Sequence, residues 1–264
     1  MITKPWEGYI KPFRIFGNLY FVGTIPASSH LVDTGDGLIL LDSGYQESLY
    51  LVLENIRNIG FDPKDIRYVL HTHGHIDHCG AARALKELYG CTLYMGRRDK
   101  EYANGMLDLS YAAELGMTYI SFEPDVLIDD GDIISLGNTR IRAVATQVHT
   151  PGAMSYFFEV TDGKNTYTAG LHGGMGINTM SREFLDKYKL PYTYRDEFVK
   201  SMERLGKENV DIFLGNHAEH NHTVDKAKRL EAGDTDAFVN PGEWKPYAQW
   251  CIQNYEKMIE QEQK

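Results

Sequence analysis

The chain has 264 residues, of which 42% are hydrophobic and 24% charged, a composition typical of a folded globular protein and not of a disordered one. Asp and Glu number 37 against 27 Lys and Arg, and the resulting net charge of −10 argues against nucleic acid as a partner. No window approaches the roughly 18 apolar residues of a membrane span, and the three scattered cysteines predict no disulfide framework. We therefore expect a cytoplasmic protein with no membrane partner.

Strands and helices alternate in the first half of the chain. Turn signals divide residues 13 to 44 into short strands, and the apolar run Leu38–Leu41 suits a buried one. An amphipathic helix follows over "YQESLYLVLENIRNIG" and ends at Gly60. Then "DIRYVL" predicts a strand, "CGAARALKELYG" a helix and "CTLYM" another strand. The region 97 to 117 is expected to be mostly helical.

The second half repeats this order. Four segments have the pattern of strands: "DVLIDDGD", "TRIRAVATQV", "MSYFFEVTDG" and "NTYTAG". A helix over about 194 to 205, a strand in "VDIFLG", a helix over 224 to 231 and a helix from 243 onward complete the chain. Two similar halves of this kind predict an α/β four-layer αββα sandwich, with two sheets packed together and helices outside. We expect one domain over residues 1–264.

A cluster of histidines follows the third of these strands, in "YVLHTHGHIDHCG". His73 and His75 are two residues apart, so in extended geometry they leave the same face, and Asp77 and His78 follow in a turn. Imidazole and carboxylate ligands at this density suit Zn²⁺, with iron or manganese as alternatives. Four close titratable groups repel or stay unsatisfied without a cation. The motif therefore predicts a metal site, not a histidine-rich surface loop.

Other histidines at strand ends are candidates to complete the site. His149 ends a strand in "ATQVHTPG", and His217 ends one in "VDIFLGNH". His71 is expected, by strand alternation, to support the ligands from behind or to have a structural role. His220 and His222 are expected mostly on the surface, although either could compete with His217, and the role of His172 in "AGLHGGMG" stays open.

These motifs carry a resemblance to the metallo-β-lactamase superfamily. "HTHGHIDHCG" matches its H-x-H-x-D-H signature, "HTPG" and "GNH" match its remaining metal histidines, and "GLILLDSG" resembles its strand ending in a structural aspartate, here Asp42. The resemblance covers nearly the whole chain and implies the metallo-β-lactamase fold. It implies a first metal site formed by His73, His75 and His149. It also implies a second metal site formed by Asp77, His78 and His217.

One position departs from the pattern of many hydrolases in this superfamily. They carry a metal-bridging aspartate where Leu171 stands in "TAGLHG". Its absence resembles the third subclass of metallo-β-lactamases, as does the C-terminal sequence. The serines that help those enzymes hold the carboxylate of the drug are missing from "AGLHGGMG". The resemblance is therefore specific for the fold and the metal site, and much less so for the substrate.

The resemblance implies a metal-dependent hydrolase with two Zn²⁺ ions per chain and a small-molecule substrate. A metal-bridging hydroxide, oriented by Asp77 as the catalytic residue, would attack the carbonyl of a β-lactam, lactone, ester or thioester. Two alternatives stay open: a mononuclear iron oxidoreductase similar to sulfur dioxygenases, and a phosphodiesterase. The complete ligand set of the second metal site argues against the mononuclear oxidoreductase. The net charge and Leu171 argue against the phosphodiesterase. The oligomeric state is not predicted.

Candidates for an apolar rim around the site are Ile25, Pro26, Met106, Tyr111 and Tyr119.

Overall fold

The computed structural model describes residues 4–147 and 149–263, and these contain two β-sheets. The first sheet has seven strands in chain order: β1 Phe13–Phe16, β2 Leu19–Phe21, β3 His30–Asp33, β4 Leu38–Leu41, β5 Ile66–Leu70, β6 Thr92–Gly96 and β7 Val126–Ile128. The second has five, in the order β12-β11-β10-β9-β8: β8 Ile133–Leu136, β9 Thr139–Ala145, β10 Met154–Thr161, β11 Thr166–Leu171 and β12 Ile212–Leu214.

The same described residues contain nine α-helices, several of them a single turn. They are α1 Leu49–Asn58, α2 Ile76–Cys79, α3 Ala82–Tyr89, α4 Lys100–Ala103, α5 Ala112–Leu115, α6 Arg182–Tyr188, α7 Thr193–Leu205, α8 Thr223–Glu231 and α9 Trp244–Glu262. None of the helices in this part of the chain combines the length and the apolar character that a membrane crossing requires.

The two sheets pack face to face across a shared apolar core. Leu41 and Leu70 of the first sheet are fully buried in the same cluster as Leu171 and Leu214 of the second. Side chains of α1 and α3 pack on the outer face of the first sheet, and those of α7 and α9 on the outer face of the second. Strand alternation produces this arrangement, because successive residues of a buried strand face opposite layers. The predicted four-layer αββα sandwich is confirmed.

Most predicted elements of the first half are present, but the region 97 to 117 is not mostly helical. It contains a 3₁₀ turn over Arg97–Asp99, the one-turn helices α4 and α5, and irregular chain between them. Gly105 and Tyr111 have positive φ values of 77° and 65°, which a continuous right-handed helix excludes. The irregular chain instead follows the outside of the histidine loop, where Ser110 accepts a hydrogen bond from the amide of Ile76.

The second half differs from the prediction in two places. Helix α6 was not predicted, although Ser181 caps it by accepting a hydrogen bond from the amide of Phe184 at 3.2 Å. The strand predicted over "TRIRAVATQV" ends at Ala145 in the structure, and Val148 at its predicted end lies outside the described residues. The three later helices begin within one residue of their predicted starts.

The sheet topology brings several loops together at one edge of the sandwich. Strands β4 and β5 are parallel and end side by side at Leu41 and Leu70. Strands β11 and β12 are likewise parallel and end at Leu171 and Leu214. Carboxyl ends of parallel strands meet at the same edge, where open α/β sheets commonly bind ligands. That the whole chain forms one domain over 1–264 stays a prediction.

Candidate metal centre

The loop between β5 and α2, residues 71–75, carries the start of the histidine motif. His71, His73 and His75 are all buried there, at 2% exposure or less. A Cβ atom on Gly74 would lie 2.7 Å from the Cβ of Tyr102, so the close approach of these two segments requires glycine. The tight loop holds the histidine side chains beneath the covering segment.

His73, His75 and His149 form the first group of converging side chains. Their potential ligand atoms lie within 4.8 Å of one another. His149 comes from the loop between β9 and β10, and its Nδ1 lies 2.9 Å from the carbonyl oxygen of Gly176. A proton on Nδ1 would be donated to that carbonyl, which leaves the Nε2 lone pair available to a metal ion.

Asp77, His78 and His217 form the second group. Asp77 Oδ2 lies 3.1 Å from His78 Nε2 and 3.4 Å from His217 Nε2, and the two Nε2 atoms are 3.4 Å apart. His217 Nδ1 lies 2.7 Å from the carbonyl oxygen of Pro26. His73 also lies within 4.8 Å of the ligand atoms of Asp77 and His78. The two groups therefore adjoin each other.

Asp42 supports the second group from below. Its buried carboxylate accepts hydrogen bonds from the amide and the hydroxyl of Thr72, at 2.7 and 2.8 Å. Its Oδ2 also lies 2.8 Å from His78 Nδ1, which directs His78 Nε2 towards Asp77. The backbone of Asp42 has φ of 58°, an uncommon conformation outside glycine that Asp tolerates better than most residues. The expected structural contact of Asp42 with the histidine turn is present.

Burial and mutual repulsion act strongly on these side chains. Burial lowers the pKa of His149 to about 4, and burial together with neighbouring imidazoles holds the pKa values of His73 and His75 well below their usual range. Burial opposes ionisation of Asp77, but the imidazoles of His78 and His217 outweigh it and leave the pKa of Asp77 below its usual range. The first group is therefore neutral at pH 7, and the second contains an ionised carboxylate.

His78 behaves differently because two carboxylates flank it. Burial lowers its pKa, yet Asp77 and Asp42 outweigh burial and raise the pKa to about 10. A proton therefore occupies His78 when no cation is near, and a metal ion competes with that proton for Nε2.

The residues present fit metal binding. His73 Nε2 is fully buried and has no hydrogen-bond partner, a costly state that a bound cation would relieve. The donors around it are imidazole nitrogens and one carboxylate, which are ligands that Zn²⁺ commonly takes.

Comparison with known proteins agrees with this geometry. The family model described as "Metallo-beta-lactamase superfamily" matches residues 22–162, more than half of the chain. The chain belongs to the metallo-beta-lactamase superfamily.

Among solved structures, BJP-1, a subclass B3 metallo-beta-lactamase of Bradyrhizobium japonicum, superposes with a TM-score of 0.89 and 27% identity, covering 99% of this chain and 98% of that chain. An uncharacterised protein of Aquifex aeolicus is 30% identical over 141 residues, which are 52% of this chain and 63% of that protein. A probable metallo-hydrolase of Burkholderia pseudomallei is 36% identical over 91 residues, 34% of this chain and 31% of that protein. The chain thus aligns with less than two thirds of these two relatives.

The predicted protein class, a metal-dependent hydrolase of the metallo-beta-lactamase type, is confirmed at the level of the superfamily. The predicted resemblance to the third lactamase subclass is confirmed by the likeness to the subclass B3 structure. Zinc as the metal, two ions per chain, the carbonyl substrate and the cytoplasmic location stay predictions.

One histidine of this superfamily member lies elsewhere than expected, and the position of another is now defined. His220 is half-buried, with its ring 5.0 Å from that of His217, so the expectation of a surface position was wrong. The physical reason is a tight turn after β12, in which His220 Nδ1 lies 2.9 Å from Asn216 Oδ1. His172 is fully buried 5.1 Å from His220.

The cleft above the candidate metal ligands also differs from the predicted rim. Of the rim candidates, only Tyr111 lines the cleft, while Met106 is 73% exposed outside it. Tyr45 and Met175 also line the cleft and were not predicted, because they have no local signal in the sequence and reach the cleft through loop packing. Leu171 is buried between the sheets, and among the described residues only Asp77 and Glu219 bring carboxylates to the cleft.

Asp99 links the two loops that carry the first group. Its buried carboxylate accepts hydrogen bonds from the amides of Gly74 at 2.8 Å and Gly152 at 2.6 Å, and from the hydroxyl of Thr150. Burial raises the pKa of Asp99 to about 6, although these donors favour the ionised form. One carboxylate therefore holds the His73–His75 loop against the loop of His149.

We expect Asp99→Asn to lower the free energy of unfolding by about 1–3 kcal/mol, because an amide NH₂ would face backbone N–H donors in a buried position. Urea unfolding of the purified variant measures this change. Asp129→Asn is a suitable control, since exposed Asp129 pairs only with exposed Arg97 and should shift stability by less than about 1 kcal/mol. Equal stability of the two variants would contradict the assigned role of Asp99.

Proposed function

We propose that this protein is a dinuclear zinc-dependent hydrolase that cleaves a carbonyl substrate: an ester, lactone, thioester or β-lactam. The observation that carries the proposal is the pair of adjoining donor groups, with His73, His75 and His149 on one side and Asp77, His78 and His217 on the other. In this proposal the first three residues would hold one ion and the second three the other.

When bound, zinc at these positions would supply an activated water at neutral pH and would polarise the carbonyl of the substrate. The protein residues would prepare that chemistry. Asp77 is ionised and lies, partly buried, beside both histidines of its group, so it would ligate one ion and orient the attacking water as a hydrogen-bond acceptor. Asp42 would keep the Nε2 atom of His78 directed to the same point.

The surrounding chain would limit the access of bulk water. Tyr45, Tyr111, Leu115 and Met175 contribute the apolar part of the cleft lining. Where these side chains cover a substrate they would exclude solvent, which strengthens electrostatic interactions within the cleft. No side-chain nucleophile is required, and none of the described cleft residues is a serine or a cysteine.

Removal of metal is expected to abolish hydrolysis and to lower the melting temperature, because an ion that binds only the folded protein stabilises it. The protein would be treated with a chelator, freed of it and titrated with Zn²⁺, while metal content, melting temperature and turnover are measured together. A suitable substrate panel contains a chromogenic cephalosporin, a lactone, a thioester and an aryl phosphodiester.

The expected result is that two equivalents of zinc restore the melting temperature and the turnover of a carbonyl substrate. One equivalent of iron in the active protein, or turnover restricted to the phosphodiester, would contradict the proposal and favour the alternative activities of this superfamily.

A further inference from the structure

A groove of about 770 Å³ lies beside the cleft of the candidate metal centre. The groove and the cleft share two lining residues, Glu219 and His220. The remaining lining comes from β12, the turn after it and the start of α9, and its apolar part consists of Phe213, Pro246, Tyr247 and Trp250. A ligand in the cleft could therefore extend past His220 into this groove.

Beside the groove, a row of four rings leads from His217, a proposed metal ligand, to the exposed Trp250. The ring of His217 lies 5.0 Å from that of His220, which lies 5.6 Å from that of Tyr247, and Tyr247 stacks on Trp250 at 5.6 Å. We call these four residues the aromatic row.

Trp250 lies at the end of the aromatic row, where its ring stacks on that of Tyr247. Its neighbours Ala248 and Cys251 on α9 are buried against the second sheet, while Trp250 remains 54% exposed. A large exposed indole beside a catalytic cleft is suited to cover apolar parts of a bound ligand.

The charges around the groove select against anions. Among the described residues, the linings of the cleft and of the groove contain no lysine or arginine. Glu243 is paired with Lys226, but Glu219, which lines both cavities, forms no ion pair within the described residues. A carboxylate at the Trp250 end of the groove would find no lysine or arginine in the lining to pair with and would face Glu219, whereas the proposed zinc ions lie at the other end of the aromatic row.

We propose, on the basis of the proposed function, that the aromatic row binds the apolar tail of an uncharged carbonyl substrate, and that Glu219 disfavours substrates whose tail carries a carboxylate. The occupant is thus a neutral ester or lactone with a medium-length acyl or aryl group. In its hydrolysis, the oxygen of water bonds to the carbonyl carbon and the bond from that carbon to the ester oxygen breaks. One proton of the water goes to the departing oxygen and the other to solvent, which gives a carboxylate and an alcohol or phenol, joined in one molecule when the substrate is a lactone.

The first test compares 4-nitrophenyl acetate with 4-nitrophenyl octanoate on the zinc-loaded protein. Each buried methylene is worth about fourfold in binding, so kcat/KM should rise by at least tenfold from acetate to octanoate. Trp250→Ala should reduce this octanoate-to-acetate ratio about tenfold, mainly through KM. Trp6→Ala is the matched control, because Trp6 is 58% exposed and lies outside the cleft and the groove. An unchanged ratio in Trp250→Ala would overturn the proposal.

The second test adds the 4-nitrophenyl monoester of suberic acid, which places a carboxylate at the end of the same eight-carbon chain. Wild type should prefer octanoate to the suberate monoester, and Glu219→Gln should narrow that preference about two- to fivefold, the size expected for repulsion between two solvent-exposed like charges. Equal preference in wild type and in Glu219→Gln would refute the role of Glu219.

A binding measurement separates this inference from the proposed function. Isothermal titration with uncharged 4-phenylbutan-1-ol should show binding to the zinc-loaded wild type and to Trp6→Ala, and at least tenfold weaker binding to Trp250→Ala. If the alcohol binds in this way and no ester is hydrolysed, the result supports the groove as a binding site and contradicts the proposed function. If acetate is hydrolysed without any gain from the longer chain, the groove proposal fails. A change of oligomeric mass in Trp250→Ala with unaltered tail preference would assign this surface to a dimer contact instead.

Discussion

His75→Ala is expected to lower kcat/KM for any ester or lactone substrate by at least about a thousandfold. His75 is buried in the first group, and loss of one ligand should release an ion whose contribution to transition-state stabilisation is several kcal/mol. Steady-state kinetics and metal analysis of the same preparation measure the two effects together. The bound zinc should fall from two equivalents towards one.

A folding defect must be separated from the loss of metal in this variant. Circular dichroism and the melting temperature of the metal-free wild type and the metal-free variant provide that comparison. His75→Cys is the second variant, since a thiolate is also a zinc ligand and should retain part of the metal. A folded His75→Ala protein with wild-type turnover would show that the site has been assigned to the wrong residues.

Asp42→Ala is expected to lower the free energy of unfolding by about 3–5 kcal/mol, because it leaves the amide of Thr72 and Nδ1 of His78 without their buried acceptor. Alanine also adopts the positive φ of this position less readily than aspartate. Zinc affinity should fall by about ten- to a hundredfold, since His78 loses the contact that orients it. Urea unfolding and a zinc competition assay measure these effects.

Asp36→Ala is the matched control for this variant. Asp36 is exposed in the turn before β4 and should change stability by less than about 0.5 kcal/mol. Asp42→Asn tests the charge separately, because asparagine tolerates positive φ but cannot replace both carboxylate oxygens as acceptors. Full stability and unaltered zinc affinity in Asp42→Ala would remove Asp42 from the support of the site.

Much of the fold was predictable because its signals are local. The apolar run Leu38–Leu41 is a fully buried strand in the structure, as its composition requires. The helix ending at Gly60 and the helix ending at Gly90 both stop where glycine has positive φ. The region 97 to 117 was not predictable, because its path depends on contacts with distant parts of the chain. Asp99 accepts a hydrogen bond from the amide of Gly152, and Ser110 accepts one from the amide of Ile76.

The candidate site divides in the same way. The spacing of His73, His75, Asp77 and His78 is a local property, so a metal site in this loop could be inferred from the residues alone. His149 and His217 were chosen as strand-end histidines and through the family resemblance, and the structure brings both to the same place. Their assignment as ligands stays a proposal until metal binding is measured.

The sequence by itself determined the order of the elements, the layered architecture and the chemistry of the histidine motif, because these depend on periodicity, turn residues and residue type over short spans. Only the tertiary structure decided which distant side chains share the cleft. It placed Tyr45 and Met175 in the cleft, turned His220 inward beside His217, and joined the cleft to Trp250 through an aromatic row. Such neighbours come from loops at the edge of two packed sheets, where proximity is set by the packing and not by separation along the chain.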